Sequence, residues 1–185
     1  MPDAGRPNSK RPPKTLDADG LWSFALKALG QRALSSGELR EKLRHKATHP
    51  EDVPGVLSKL KEYGYLNDAR MADSFAAVRR DSGGFGKMRV LRDLQQRRIA
   101  SGLARETVDK AYAGTDEAGM IEEYLARKFR TTNLPAYLQD EKKLASVYRR
   151  LRNAGFSSGA SIRVLKRYAA QAEELEGLED GESAG

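Results

Sequence analysis

Apolar residues recur at helical spacing along nearly all of this chain, and the interruptions between the stripes follow a common grammar. Leu21, Phe24, Ala25, Ala28 and Leu29 fall on one face of a first helix. "SSGEL" comes next, with Ser35 and Glu38 spaced to satisfy each other's backbone amides as a capping box, and leads into "LREKLRHKA". Pro50 and Pro54 suit the first turn of a third helix, where a missing N–H costs nothing, and Val53, Val56, Leu57 and Leu60 supply its stripe. Gly64 ends that helix, because without a Cβ it enters the left-handed region freely. Tyr65 and Leu66 are placed to fold back as the apolar contact of the cap. Asn67 or Asp68 can offer a side-chain oxygen to the free amides of the next helix.

The grammar then repeats. "ARMADSFAAVRRD" carries Met71, Ala72, Phe75 and Val78 as a core stripe, "SGGFGK" interrupts, and "MRVLRDLQQRRI" follows. Ser101 is expected to cap "LARETVDKAYAG", Gly114 to close it, and Thr115 or Asp116 to open "MIEEYLARKF". After a loop at Pro135 come "DEKKLASVYRRLRNAGF" and, capped by Ser158, "ASIRVLKRYAA". Leu43, Leu94 and Leu151 match at lags of 51 and 57 residues, and Val56, Val108 and Leu165 fall nearly into step. Units this small cannot bury a core alone and must lean on neighbours. The expected fold is therefore all-α: three tandem three-helix repeats forming an elongated, curved body. The repeats span 21–67, 68–115 and 116–172, with a disordered basic arm at 1–20 and an acidic tail at 173–185.

Composition narrows the function classes. At 185 residues with 39% apolar and 32% charged positions, the chain can fold but offers only narrow apolar stripes. No window approaches the roughly 18–20 apolar residues of a membrane span, and the N-terminus lacks the apolar centre of an export signal. Without cysteine there is no disulfide framework and no thiolate ligand or nucleophile. A cytoplasmic monomer is expected. The net charge is +7, yet the six acidic residues between Glu173 and Glu182 have no basic neighbour, so the remainder carries +13. A basic body points to a polyanionic partner, and the acidic tail could fold over it.

Catalytic chemistry finds little support. "GGFGK" at Gly83–Lys87 has Asp81 where a phosphate loop needs its first glycine and Met88 where it needs Ser or Thr, so it reads as a hinge between helices. His45 and His49 are four apart, but Pro50 disfavours helix at His49 and no third His or Cys completes a metal site. No nucleophile elbow occurs. No catalytic residue, metal or cofactor is expected. The informative feature is charge. Arg79, Arg80, Lys87, Arg89, Arg92, Arg97, Arg98 and Arg105 face only Asp81 and Asp93 across 79–105, a net of +6. Arg149, Arg150 and Arg152 occupy the matching helix of the third unit, and Lys42, Arg44 and Lys46 that of the first. Aligned, these clusters would make one positive stripe suited to a phosphate backbone or a filament groove. Tyr63, Tyr65, Tyr112 and Tyr168, near helix ends, read as core rather than as platforms for bases.

Four segments, "SSGELREKLRHKA", "VLSKLKEYGYLNDARMADSFAAVRR", "RVLRDLQQRRI" and "YRRLRNAGFSSGASIRVL", resemble in order the signature segments of the bacterial RecX regulatory proteins. The resemblance runs from about Leu21 to Ala170, and its most specific part is Tyr65-Leu66 followed by Arg70 and Phe75. It implies three tandem three-helix repeats that bind and restrain the RecA recombinase filament, modulating recombination and the DNA-damage response without catalysis. Single-stranded DNA stays open as a second contact. Met71 departs from a usual aromatic, and "GGFGKMR" replaces a glycine–proline turn. A stand-alone helix–turn–helix DNA-binding regulator is the rival reading, but the helix after "GYLND" carries a core stripe where a recognition helix would be polar.

Overall fold

The computed structural model describes residues 15–170 together with Ala172, Glu173 and Leu175. Among these, ten α-helices and no strand occur: α1 (Ala18–Gln31), α2 (Ser36–Arg44), α3 (Asp52–Glu62), α4 (Asp68–Asp81), α5 (Lys87–Gln96), α6 (Ser101–Ala111), α7 (Glu117–Lys128), α8 (Leu134–Tyr137), α9 (Glu141–Asn153) and α10 (Ser158–Leu165). The chain divides into two compact units, Met1–Asp68 and Ala69–Gly185.

In the first unit, α1, α2 and α3 close around Leu21, Ala25, Leu39, Leu43, Leu57 and Leu60. The capping box is formed as expected: Ser35 Oγ accepts from the Glu38 amide and Glu38 Oε2 from the Ser35 amide, each at 3.0 Å. The first helix starts earlier than the pattern indicated. Asp17 caps α1, and Leu16 already packs on the core, pairing with the chain after α2 through Leu16 N–H to Lys46 O at 2.7 Å. At the far end Gly64 has φ +73°, and the amides of Tyr65 and Leu66 both return to the Leu60 carbonyl, at 2.9 and 3.2 Å. Leu66 is buried. Tyr63 and Tyr65 are not core: they stay 68% and 56% exposed, because the reversal at Gly64 turns both rings to the surface beside Trp22. Asp68 works backwards along the chain, its Oδ1 accepting from the Ser36 amide of α2 at 2.7 Å. That satisfies one of the orphan donors every helix start leaves.

The second unit holds two apolar clusters. Ala72, Ala76, Val90, Leu94, Ile99, Ala104 and Val108 form one, between α4, α5 and α6. The other lies among α7, α9 and α10 and includes Ile121, Leu125, Tyr148, Leu151 and Phe156. Leu175 joins it, so the stretch assigned by composition to the acidic tail is partly packed; Glu174 and residues 176–185 lie outside the described set, as do 1–14 of the expected arm. Leu43, Leu94 and Leu151 are each fully buried. Val78 is not in the stripe and is 68% exposed, since Ala72 and Ala76 take the inward face of α4. Two caps shift by one residue. Ala100, without a side-chain bond, precedes α6, leaving Ser101 as its first residue. Ser157 rather than Ser158 caps α10, accepting from the Ala160 amide, while Ser158 Oγ lies 2.7 Å from the Tyr148 hydroxyl. The Pro135 stretch is the single turn α8, capped by Asn133.

The glycine-rich stretch is docked rather than hinge-like. Gly86 N–H donates to Ala154 O at 2.8 Å and Met88 N–H to Gly155 O at 3.1 Å, joining the start of α5 to the turn after α9. A Cβ on Gly86 would sit 2.4 Å from Gly155 C, and one on Gly155, whose φ is +92°, 2.2 Å from Arg89 N. Backbone lies on backbone there. Those amides are already satisfied inside the protein, which removes them from any phosphate cradle.

Candidate binding surface

The second unit brings part of the predicted basic set together. A cleft of about 500 Å³ opens along the line where α5 meets the turn after α9, bordered by Arg89, Arg127, Lys128 and Arg150 with Phe85, Tyr124 and Asn153. Its lining holds four cations and no carboxylate. Arg92 stands at the same rim, donating to Asn153 O at 3.1 Å. Arg89 is steadied from one side by Asp93, Nε to Oδ1 2.8 Å, an i,i+4 pair on α5. Arg150 faces the Phe129 ring at 5.8 Å and is otherwise exposed. Burial pushes the Tyr124 phenol up, against the opposing pull of Arg150 and Arg127.

Arg127 and Lys128 were not among the residues expected from sequence. Arg127 reaches from the end of α7 to the loop after α4, donating to Ser82 O at 2.8 Å and Gly83 O at 2.7 Å. Gly84 makes room for it: a Cβ there would lie 2.7 Å from Nη2. The available signal was a basic pair in the last turn of a helix, where the macrodipole favours cations, but that signal names no partner.

The other predicted cations go elsewhere. Arg79 stacks on Phe75 and Phe85 at 5.0 and 4.4 Å, which puts its charge behind the cleft's aromatic wall, and Arg97 lies over Phe75 at 5.4 Å. Arg80 is tied to Asp81 and to Ala111 O, Lys87 to Asp109 at 2.7 Å, and Arg152 to Phe156 O. Arg98 has φ +58°, a left-handed residue that closes α5 as Gly155 closes α9. Arg149 is exposed on α9. His45 and His49 sit beside Glu41 and Glu51. The lining of the cleft offers positive charge and hydrogen-bond donors. What it can do is hold a strand of negative charge against a rigid helical frame.

Residues 67–108 match the family model described as RecX, second three-helix domain. The Deinococcus radiodurans protein named regulatory protein RecX is 33% identical over 154 residues, covering 82% of this chain and 70% of its own. That of Pseudomonas tolaasii is 34% identical over 143 residues, 76% of this chain and 86% of that one. The crystal structure of RecX from Lactobacillus salivarius superposes with a TM-score of 0.61 at 18% identity, over 82% of this chain and 96% of the other; it bears on the fold alone.

Proposed function

Since this chain belongs to the RecX family of regulatory proteins, we propose that it binds the RecA–single-stranded DNA filament and inhibits recombinase activity. The cleft carries the proposal: Arg89, Arg127, Lys128 and Arg150 converge from three elements on one opening without a neutralising carboxylate in its lining. Converging cations raise the local concentration of a polyanion and hold it by releasing its counterions. The division into three tandem three-helix units belongs to the same reading, supported by the three separate apolar clusters.

The sharpest test replaces cations that carry no backbone hydrogen bond. Lys128→Ala/Arg149→Ala/Arg150→Ala should melt close to the parent protein, because exposed charges add little to stability. It should release the RecA ATPase from inhibition on single-stranded DNA. If these cations meet phosphates, the salt slope of binding to DNA should fall by about one unit for each phosphate no longer neutralised. Unchanged inhibition by the triple variant would remove the exposed cations of α7 and α9, Lys128 and Arg150 of the cleft among them, from the interface. The set Arg89, Arg92 and Arg98 is a poorer probe, since Arg92 also ties α5 to the Asn153 carbonyl, Arg89 is paired with Asp93 within α5, and Arg98 sits in a left-handed turn.

A further inference from the structure

The first unit carries a second surface whose chemistry is the reverse of the cleft's. Trp22 meets Tyr63 and Tyr65 edge-on, with ring centroids at 5.7 and 6.4 Å and interplanar angles of 69° and 78°. The two tyrosines lie 6.5 Å apart. These rings wall a groove of about 590 Å³ whose rim carries Asp19, Glu51 and Asp52 against the single cation Lys59. Most of Tyr63 and Tyr65 faces solvent and Trp22, packed against the core, is only partly buried, which leaves an aromatic patch open on this face. Phosphate would be repelled by three carboxylates. Aromatic walls with an acidic rim suit guanidinium and ammonium groups, which bind ring faces, and proline rings, which dock aromatic-lined grooves as extended left-handed helix.

The chain contains a segment of that composition close in sequence to the helix that lines the groove. "RPNSKRPPK", Arg6 to Lys14, holds four cations and three prolines in nine residues. It ends three residues before Asp17, the cap of α1, and Ala18 and Asp19 of α1 line the groove. Nine residues in the polyproline conformation span about 28 Å at about 3.1 Å each, which is ample reach. A tether this short also keeps the segment at millimolar effective concentration, so a weak contact suffices. We propose that the groove between α1 and α3 is a binding site for a cationic, proline-bearing peptide, and that its occupant is this chain's own segment Arg6–Lys14. Charge complementarity selects that segment over nucleic acid, and proximity selects it over a free peptide.

Trp22 is the only tryptophan, so the intact protein reports on this groove directly. Acrylamide quenching of Trp22 should be at least twofold weaker at low salt than at high salt in the parent chain. In Arg6→Ser/Lys10→Ser/Arg11→Ser/Lys14→Ser, quenching should be strong at both. Asp19→Asn/Glu51→Gln/Asp52→Asn, with circular dichroism unchanged, should behave as the segment variant does. Adding a synthetic peptide of residues 1–14 to the segment variant should restore protection, which a misfolded groove could not show. Equal quenching of the parent and the segment variant at low salt would overturn the proposal. Protection that grows with protein concentration would overturn the intramolecular assignment, and stronger protection by oligo-dT than by the peptide would overturn the ligand class.

Discussion

Arg98 is a cost the fold carries in one residue. Its φ of +58° places a Cβ-bearing side chain where glycine is normally used, and the amide of Ile99 reaches back 3.1 Å to Leu94 O to close α5. The conformation costs roughly 1–2 kcal/mol for an L-residue. Arg98→Gly should therefore be about 1 kcal/mol more stable than Arg98→Ala, since both lose the same side chain and only one relieves the backbone. Urea midpoints compare them, and equal values would mean the turn is unstrained. Tyr112 offers a second residue-level test. Burial pushes its phenol up to about 12, and its hydroxyl donates to Phe85 O at 2.8 Å. Between pH 10 and about 12 the folded chain keeps a proton that the unfolded chain has lost. The associated stability is thus present below pH 10 and lost as pH rises through that window. A two-unit shift is nominally about 2.7 kcal/mol, which half-exposure screens to about 1. Tyr112→Phe should lose less stability than the parent over that range in alkaline melts; parallel losses would mean the ring titrates freely. Much at this scale was legible beforehand. The Ser35–Glu38 box, the left-handed Gly64 and the buried Leu43, Leu94 and Leu151 all follow from local spacing. Val78 and the two exposed tyrosines did not, because which flank of a short helix faces in depends on neighbours that periodicity does not name.

Between elements the junction that matters most is backbone against backbone. Gly86 and Gly155 bring α5 and the turn after α9 closer than any side chain permits. Gly155→Ala should cost about 2–5 kcal/mol, combining left-handed strain with a forced shift of Arg89. Gly102→Ala is the control: it lies in α6 with open space around its Cβ position and should gain about 0.5–1 kcal/mol. Thermal melts of the pair decide it, and similar values for both would mean the two helices do not pack this way. Nothing in the periodicity hinted at this junction. The glycines of "GGFGK" were visible, but their partner lies far along the chain, and close approach leaves no periodic trace. Arg127 escaped for the same reason, its acceptors being backbone carbonyls that every residue has.

At the scale of the whole chain the clusters are unequal. Among the described residues, the one between α4, α5 and α6 has seven buried members, three of them alanine, against sixteen for the one among α7, α9 and α10. Less apolar area means less of the stabilisation that scales with it. Amides of α4 and α6 should therefore exchange with solvent sooner than those of α9 and α10 in native-state hydrogen exchange. Uniform protection across the second unit would instead mean that the glycine junction fuses both clusters into one cooperative block. The helical class and the approximate lengths of the helices could be read from the pattern. The convergence of charge could not, since only three of the ten expected cations, Arg89, Arg92 and Arg150, meet at the cleft.

The paired glycines also constrain how such a molecule can change over generations. Any replacement at either position adds a side chain, because nothing smaller than glycine exists, so drift there runs only toward collision. A lineage that loses one of the pair must move the helices apart before it can tolerate the loss. The carbonyls at Ala154 and Gly155 would then be released from Gly86 and Met88 and would need new donors. Related chains should accordingly divide into those that keep small residues at both places and those that have rebuilt the whole turn, with few intermediates.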